Sequence, residues 1–317
     1  MVEIQAVTGP FSYTGKYIAA ALDRRGVSVR GLVRSVPSDP GPVDCRPLKF
    51  DDPDRLAADL EGATVLYNTY WIRFERGGMT FARAVSNTGA LGRAAARAGV
   101  ARIVHISVSN PSSTSPFAYF RGKAAAEEAI RASGLPVSII RPTLVYGTED
   151  ILINNMTWLL RRFRGFPLPG GGAYRVQPVF VEDVAALAVS EGSSRDDRTI
   201  DAAGPDVLTF GRLLRMLAAA AGVRALLVPV PVSLSLLAGR LLSAILGDVL
   251  ITPEEIGALM AETLVSSSPP ACSTRLEDWL AENGGRLGSR YTSELDRHWS
   301  RQPGVSTPRP TAPSGRE

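Results

Sequence analysis

Two kinds of run alternate along the first 140 residues of this chain. Short apolar runs at 2–8, 27–33, 47–50, 64–69, 102–108 and 137–141 read as strands. Helix-like runs lie between them, over 14–25, 53–60, 79–98 and 117–133. Apolar strands separated by helices predict a parallel sheet covered on both faces, an α/β doubly wound fold.

Beyond Pro142 the alternation loosens. The stretch RFRGFPLPGGGAYRVQPVFVEDVAALA reads as a loop-rich passage that returns to the sheet near Val179, and a strand near 199–201 extends that sheet. Residues 205–300 look mostly helical. The expected division is a dinucleotide-binding domain over 1–150, completed by about 178–204, and a smaller substrate lobe from 151–177 and 205–301. The tail 302–317, rich in Pro, Ser and Thr, is expected to be disordered. Residues 225–250 are the most apolar segment, but prolines, Arg240 and Asp248 interrupt it. It is expected to form a buried or amphipathic helix over 232–246 rather than a membrane span, with weak membrane contact as the lesser alternative.

Composition adds exclusions. The 317 residues carry 35 Lys and Arg against 31 Asp and Glu, a net charge of +4 with no basic block, so nucleic acid is not an expected partner. Two distant cysteines, Cys45 and Cys272, make no disulfide framework and fit a reducing compartment. The two histidines, His105 and His298, stand in no zinc or nucleophile motif, so no metal is expected. With no leader-like segment at the start, the expected location is cytoplasmic, as a monomer or homodimer.

The opening stretch EIQAVTGPFSYTGKYIAAAL carries the first candidate site. Gly9 ends a strand where a tight turn is needed, and Gly15 lies in the first helical turn, where close packing on the sheet favours no side chain. Phe11, Ser12, Tyr13 and Thr14 complete a loop whose helix N-terminus offers unpaired N–H groups to a phosphate. Ser12 stands where such loops usually place a glycine; its hydroxyl can donate to a phosphate oxygen. Arg34 follows the second strand, where a carboxylate would bind a ribose 2′-hydroxyl; a guanidinium suits a 2′-phosphate, so NADP(H) is expected over NAD(H). Asp51 either contacts the adenine or caps the helix that starts near Pro53.

A second candidate is SPFAYFRGKAAAEEAI. Tyr119 and Lys123 are four apart on a helix and share a face. A free tyrosine titrates near ~10, and a neighbouring ammonium lowers that value toward useful acid–base range. The strand RIVHISVSN precedes this helix, and Ser107 or Ser109 can hydrogen-bond a substrate oxygen; only one of them is expected to face substrate. His105 reads as a packed strand residue.

Taken together, these pieces resemble the short-chain dehydrogenase/reductase superfamily in its extended or atypical branch. The match runs through Thr8-Gly9-x-x-Ser12-x-x-Gly15, Arg34, Asp51, AVSNTGALGRAAARAGVARIVHIS, Tyr119-x-x-x-Lys123, IIRPTLVYG and QPVFVEDVA, in family order over about 2–205. NmrA-like proteins, the NADPH-binding accessory subunit of respiratory complex I and sugar-nucleotide epimerase/dehydratases are similar in style. The resemblance implies a Rossmann domain with Tyr119 as proton donor or acceptor and Lys123 as its partner. It implies Arg141 and Pro142 beside the nicotinamide, with Val145 and Tyr146 continuing that wall, and Asn68 among the cofactor residues. It gives Asn87 and Asp183 supporting roles. Ser12 and Val108, the latter where relatives carry a second hydroxyl residue, depart from the pattern.

On the substrate side, Tyr70, Trp71 and Phe74 in YNTYWIRFERGGMTF can wall an apolar pocket, with Arg73 and Arg76 to hold an anion. Asn154, Asn155, Trp158, Tyr174, Arg175 and Gln177 are further candidates, the arginines suiting a diphosphate. The expected function is an NADP(H)-dependent oxidoreductase of a small carbonyl or alcohol. A sugar-nucleotide epimerase/dehydratase with bound cofactor and a non-catalytic NADPH-binding sensor or assembly factor are the alternatives.

Overall fold

A computed structural model describes residues 3–299. The expected tail over 302–317 lies outside the described residues. Strand β1 (Ile4–Thr8) runs into helix α1 (Tyr13–Asp23), followed by β2 (Ser28–Val33), β3 (Asp44–Pro47), α2 (Pro53–Ala58) and β4 (Ala63–Asn68). Helix α3 (Phe81–Arg97), β5 (Arg102–Ile106), α4 (Ala118–Arg131) and β6 (Val137–Pro142) continue the alternation. Strand β7 (Leu144–Tyr146), α5 (Ile151–Phe163), β8 (Gly165–Pro169), β9 (Arg175–Val176), β10 (Pro178–Phe180), α6 (Val181–Gly192) and β11 (Arg198–Ala202) come next. The chain then forms β12 (Leu208–Thr209), α7 (Phe210–Ala220), β13 (Leu226–Val230), α8 (Val232–Leu246), α9 (Pro253–Met260), α10 (Leu276–Asn283) and α11 (Glu294–Trp299).

The central sheet has the order β11-β6-β5-β4-β1-β2-β3 and every pairing in it is parallel. The order reverses at β1, and the carboxyl ends on either side of that point form the crevice where such sheets bind ligands. Both sheet faces are apolar, as buried parallel strands require. One packs Val7, Val65, Val104 and Ile140 against α1 and α6; the other packs Ala6, Leu32, Leu66 and Ile103 against α2, α3 and α4. The doubly wound α/β fold read from the sequence is therefore the observed one.

Some boundaries differ. The third strand pairs over Asp44–Pro47, not 47–50, because Pro47 ends the ladder beside Val33. The fifth stops at Ile106, although Ser107 N–H and Ser109 N–H still reach the carbonyls of Ile140 (2.7 Å) and Pro142 (2.8 Å). Strand β11 pairs with β6 and includes the expected 199–201. Helix α2 is capped by Asp52, whose carboxylate accepts from Arg55 N–H at 3.0 Å, so Asp51 does not cap it.

A third apolar cluster unites Leu144, Ile153, Leu160, Val176, Leu213, Leu217 and Trp279. Helix α8 forms over the expected residues but is not a buried helix: Ser235 alone among its residues is buried. No helix among the described residues is long and apolar enough to cross a membrane.

Candidate active site

The β1–α1 loop is built around two glycines and a proline. Gly9 has φ +61°, a left-handed turn that glycine adopts without strain. A β-carbon on Gly15 would lie 2.1 Å from the Gly9 carbonyl oxygen, so the helix can begin here only without a side chain. Pro10 presses on β2, where a β-carbon on Gly31 would lie 2.5 Å from its Cγ. Ser12 is the N-cap of α1 by backbone conformation, but its hydroxyl makes no cap bond. Instead it donates to the Gly9 carbonyl at 2.6 Å. The expected phosphate donor thus acts as a strut that closes the loop, and anion binding is left to the backbone N–H groups at the start of α1. A β-carbon at position 15 would strike the Gly9 carbonyl and the Ser12 hydroxyl and deform the turn; the N–H groups beside it would hold a diphosphate.

Phe11 is exposed at the loop's tip, and Thr14 sits half-buried in the first turn. Tyr13 turns back toward Gly147 and Asp150; its buried hydroxyl has no hydrogen-bond partner among the described residues, and burial raises its pKa far above the ordinary value. Arg34 is exposed just beyond β2, and Asp51 is exposed before α2. Asn68 lies elsewhere than expected. It is fully buried, accepts from Thr8 Oγ1 (3.3 Å) and Tyr70 N–H (3.0 Å), and its amide meets His105 Nδ1 at 3.0 Å. This network ties β1 to β4 and β5 and commits the Asn68 side chain to bonds within the protein. His105 is the packed strand residue expected; burial, Lys123 and Arg131 push its pKa down to about 3.

Helix α4 brings Tyr119 and Lys123 to the carboxyl end of the sheet on one face. The expected coupling between them is not the observed one. Lys123 is buried and donates to the Ile106 carbonyl at 3.0 Å, with its ammonium 4.8 Å from the centre of the Trp71 ring. Burial pushes its pKa down to about 7, against the raising effect of Glu127. Tyr119 is edge-on to Trp71, Phe81 and Phe120. Desolvation there raises the phenol's pKa, Glu255 raises it further and Arg73 opposes. The phenol is therefore held protonated rather than activated toward phenolate.

The serines are also engaged. Ser107 donates to Glu127 at 2.6 Å, and Ser109 donates to the Thr263 carbonyl at 2.8 Å. Residues two apart on a strand share a face, so alternation does not choose between them; both hydroxyls are engaged within the protein. Glu127, absent from the sequence-based candidates, is the hub. It is buried, holds Arg141 through two bonds at 2.9 and 2.6 Å, and accepts from Ser107. Its position four residues after Lys123 on the same helix was the available signal. Arg141 is thus neutralised by a carboxylate, and Pro142 is buried at the end of β6. Tyr146 is fully buried and packs on Phe180 and Trp279, so it belongs to the lobe core rather than to a cofactor wall; Val145 is half-buried beside it.

The substrate-side candidates divide. Trp71 stacks on Phe81 and stands over Lys123, and Tyr70 accepts from Asn87 at 2.8 Å while packing on Phe50. Trp71 and Phe81 line the surroundings of Tyr119. Arg73 does not face an open anion site: it binds Glu255 (2.6 Å), Glu294 (3.2 Å) and the Leu250 carbonyl (3.2 Å). Phe74 lies against the Arg73 guanidinium. Asn154 bonds Thr292, Arg290 and Gly288, and Gln177 is buried between Gly204 and Ser266; both brace loops where their amides were expected to meet substrate. Asn155 holds Thr292, Trp158 packs on Tyr291, Tyr174 stacks on Phe210, and Arg175 pairs with Glu262. Asp183 accepts from Ser273, Thr274 N–H and Thr274 hydroxyl, a structural role as expected.

Helix α9 closes the mouth. Its Glu254 accepts from Tyr119 N–H at 2.8 Å, Ala258 packs on Val108 and Phe120, and a β-carbon on Gly257 would lie 2.9 Å from the Phe117 ring. The helix carries a capping box, Thr252 with Glu255, and the same Glu255 receives Arg73.

Comparison with known proteins agrees with the cradle. Residues 12–154 match a family model described as NAD(P)H-binding. Mitochondrial NADH dehydrogenase [ubiquinone] 1 alpha subcomplex subunit 9 of Arabidopsis thaliana is 31% identical over 230 residues, covering 68% of this chain and 57% of that protein. A ceramide reductase of Caulobacter vibrioides is 30% identical over 192 residues, covering 59% of this chain and 60% of the relative. The chain spans less than two thirds of the length of these curated relatives. Among solved structures, triphenylmethane reductase of Citrobacter sp. complexed with NADP(H) superposes with a TM-score of 0.71 at 18% identity, over 89% of this chain and 99% of that one. That likeness is one of fold.

Proposed function

We propose that this chain, which belongs to the extended short-chain dehydrogenase/reductase superfamily through its NAD(P)H-binding domain, is an NADP(H)-dependent reductase of an apolar carbonyl compound. The observation that carries the reading is the placement of Tyr119 and Lys123 one turn apart, at the carboxyl end of the sheet, among Trp71, Phe81 and Phe120. The backbone N–H groups that open α1 would hold the cofactor's diphosphate, and Arg34 its 2′-phosphate. When bound, the cofactor supplies the hydride.

The residues of the chain supply the rest. A carbonyl oxygen that gains negative charge needs a proton, and Tyr119, held neutral by burial, is a donor at neutral pH. At neutral pH it is present as the protonated donor an alkoxide needs and not as the phenolate that would take a proton from an alcohol, so the arrangement suits reduction. Lys123, in its charged form, adds a positive field beside the developing alkoxide and shares the surrounding aromatic wall. An aromatic wall with Arg73 already paired suits an uncharged, apolar substrate better than a diphosphate. The ceramide reductase relative supports that choice of class.

The test is NADPH consumption with a panel of long-chain ketones. Turnover that falls by about 100-fold or more in Tyr119→Phe supports the reading; equal turnover in wild type and Tyr119→Phe overturns it.

One observation favours a second reading. Glu254 and Ala258 of α9 cover Tyr119, and Ser107 is committed to Glu127. A chain that keeps this closure would hold the cofactor without turning it over, as a sensor or assembly factor, and the complex I subunit relative is consistent with such a role. Tight NADPH binding with no consumption by any ketone favours that reading.

A further inference from the structure

Among the described residues, helix α8 carries four of the exposed large apolar side chains. Along it, Leu234, Leu237, Leu241 and Ile245 are each half or more exposed, Ile245 at 76%. Their spacing of three and four residues places them on one stripe. The neighbouring strand β13 adds Leu226, exposed at 69%, and Val228, and the end of α5 adds Phe163. Strand β13 pairs with β8, and α8 packs on β8, so these side chains belong to one continuous surface. Monomeric proteins rarely leave such a surface uncovered.

The segments that build it are basic. Residues 207–247 contain Arg212, Arg215, Arg224 and Arg240 and no Asp or Glu. Residues 151–181 also contain no Asp or Glu; of their arginines, Arg175 is paired with Glu262 and Arg161 with the Leu287 and Gly285 carbonyls, while Arg162 and Arg164 are exposed. Arg162, beside exposed Phe163, and Arg164, at the start of β8, flank the apolar stripe, as do Arg215 and Arg224. The last two also line a groove of about 620 Å³ with Ala218, Val223, Leu226 and Leu227.

We infer that this face docks in the plane of an anionic lipid bilayer, with the α8 leucines and Ile245 entering the acyl boundary and the arginines on the headgroup phosphates. Three observations favour a bilayer over other occupants. The 15-residue helix is about 22 Å long, short of the ~30 Å apolar thickness, so it can lie in the interface but not cross. The rim is complementary to a surface of negative potential. A second copy of the chain would bring arginines against arginines, which opposes self-association through this face. The surface does not depend on the reductase reading, because its test uses neither cofactor nor substrate.

The experiment is vesicle flotation of the full chain. Wild type is expected to float with phosphatidylcholine vesicles containing about 30% phosphatidylglycerol and about tenfold less with pure phosphatidylcholine. The variant Leu237→Gln/Leu241→Gln/Ile245→Gln changes only exposed side chains and is expected to lose flotation while melting like wild type. The variant Arg162→Gln/Arg164→Gln/Arg224→Gln is expected to lose the preference for the anionic vesicles. Wild type that stays with neither vesicle overturns the inference, as does flotation that survives both variants. A dimer seen by sedimentation, absent in the leucine variant and without vesicle binding, would also overturn it and assign the face to a second copy.

Discussion

Gly15 stands so close to Gly9 that any β-carbon on it would lie 2.1 Å from the Gly9 carbonyl oxygen. The clash is with backbone, which cannot swing aside. Gly15→Ala is therefore expected to shift α1 away from β1, to cost about 1–3 kcal/mol of stability, and to weaken NADPH binding at least tenfold. Denaturant unfolding and a cofactor titration check both. Unchanged affinity would separate the loop from the cofactor.

Lys123 should make stability depend on pH. Its pKa falls from 10.5 to about 7 on folding, so between those values the unfolded chain holds a proton that the folded chain has released. Stability then rises with pH across that window, and the penalty of the buried charge is fully present below pH 7. Lys123→Met lacks this slope. Its stability relative to wild type is expected to be greatest near pH 6 and to shrink toward pH 10, as read from unfolding midpoints. Parallel pH curves for the two proteins would contradict the burial of Lys123.

Asp150 works in the opposite sense. Burial raises its pKa from 3.8 to about 7, so the folded carboxyl keeps a proton that the unfolded one loses. Stability contributed this way falls as pH rises from about 4 to 7. Asp150→Asn keeps an oxygen to cap Ile153 N–H but carries no charge. The variant is expected to match wild type near pH 4 and to exceed it by about 1 kcal/mol or more at pH 8. Equal stability at both pH values would show that the carboxylate is ionised at no cost.

Arg73 holds α9 over Tyr119 through Glu255 and also binds Glu294. Arg73→Met is expected to remove the cation that both carboxylates share, to cost about 1–3 kcal/mol, and to speed amide exchange over 250–260. If exchange there is unchanged, the closure rests on the Glu254 bond to Tyr119 N–H and on apolar packing.

Much of the fold was legible because parallel strands buried on both faces are continuous apolar runs, as in Ile4–Thr8 and Val137–Pro142. The cradle was legible because glycine at 9 and 15 answers to local backbone geometry. The site's polar partners were not. Arg73 and Gln177 sit in loops and Asn154 on α5, and their partners, Glu255, Ser266 and Thr292, lie 89 or more residues away in sequence. Spacing on one helix showed that Tyr119 and Lys123 share a face, but the direction of the ammonium depends on Ile106 and Trp71. Likewise, α8 reads as apolar from its residues, whereas its exposure is set by what fails to pack on it.

The proposed preference for NADP(H) assigns the 2′-phosphate to Arg34, exposed beyond β2. Arg34→Asp is expected to lower the ratio of NADPH to NADH affinity by about tenfold or more, since it replaces a partner for a 2′-phosphate with a repulsive charge. An unchanged ratio would place 2′-phosphate recognition elsewhere.

The measurement that tests the central claim most directly is titration of the wild-type chain with NADPH, followed by nicotinamide fluorescence. Saturable binding that is weakened at least tenfold in Gly15→Ala is the predicted result. No saturable binding by the folded wild-type protein would contradict the account, because the cradle between Gly9 and Gly15 would then hold no dinucleotide.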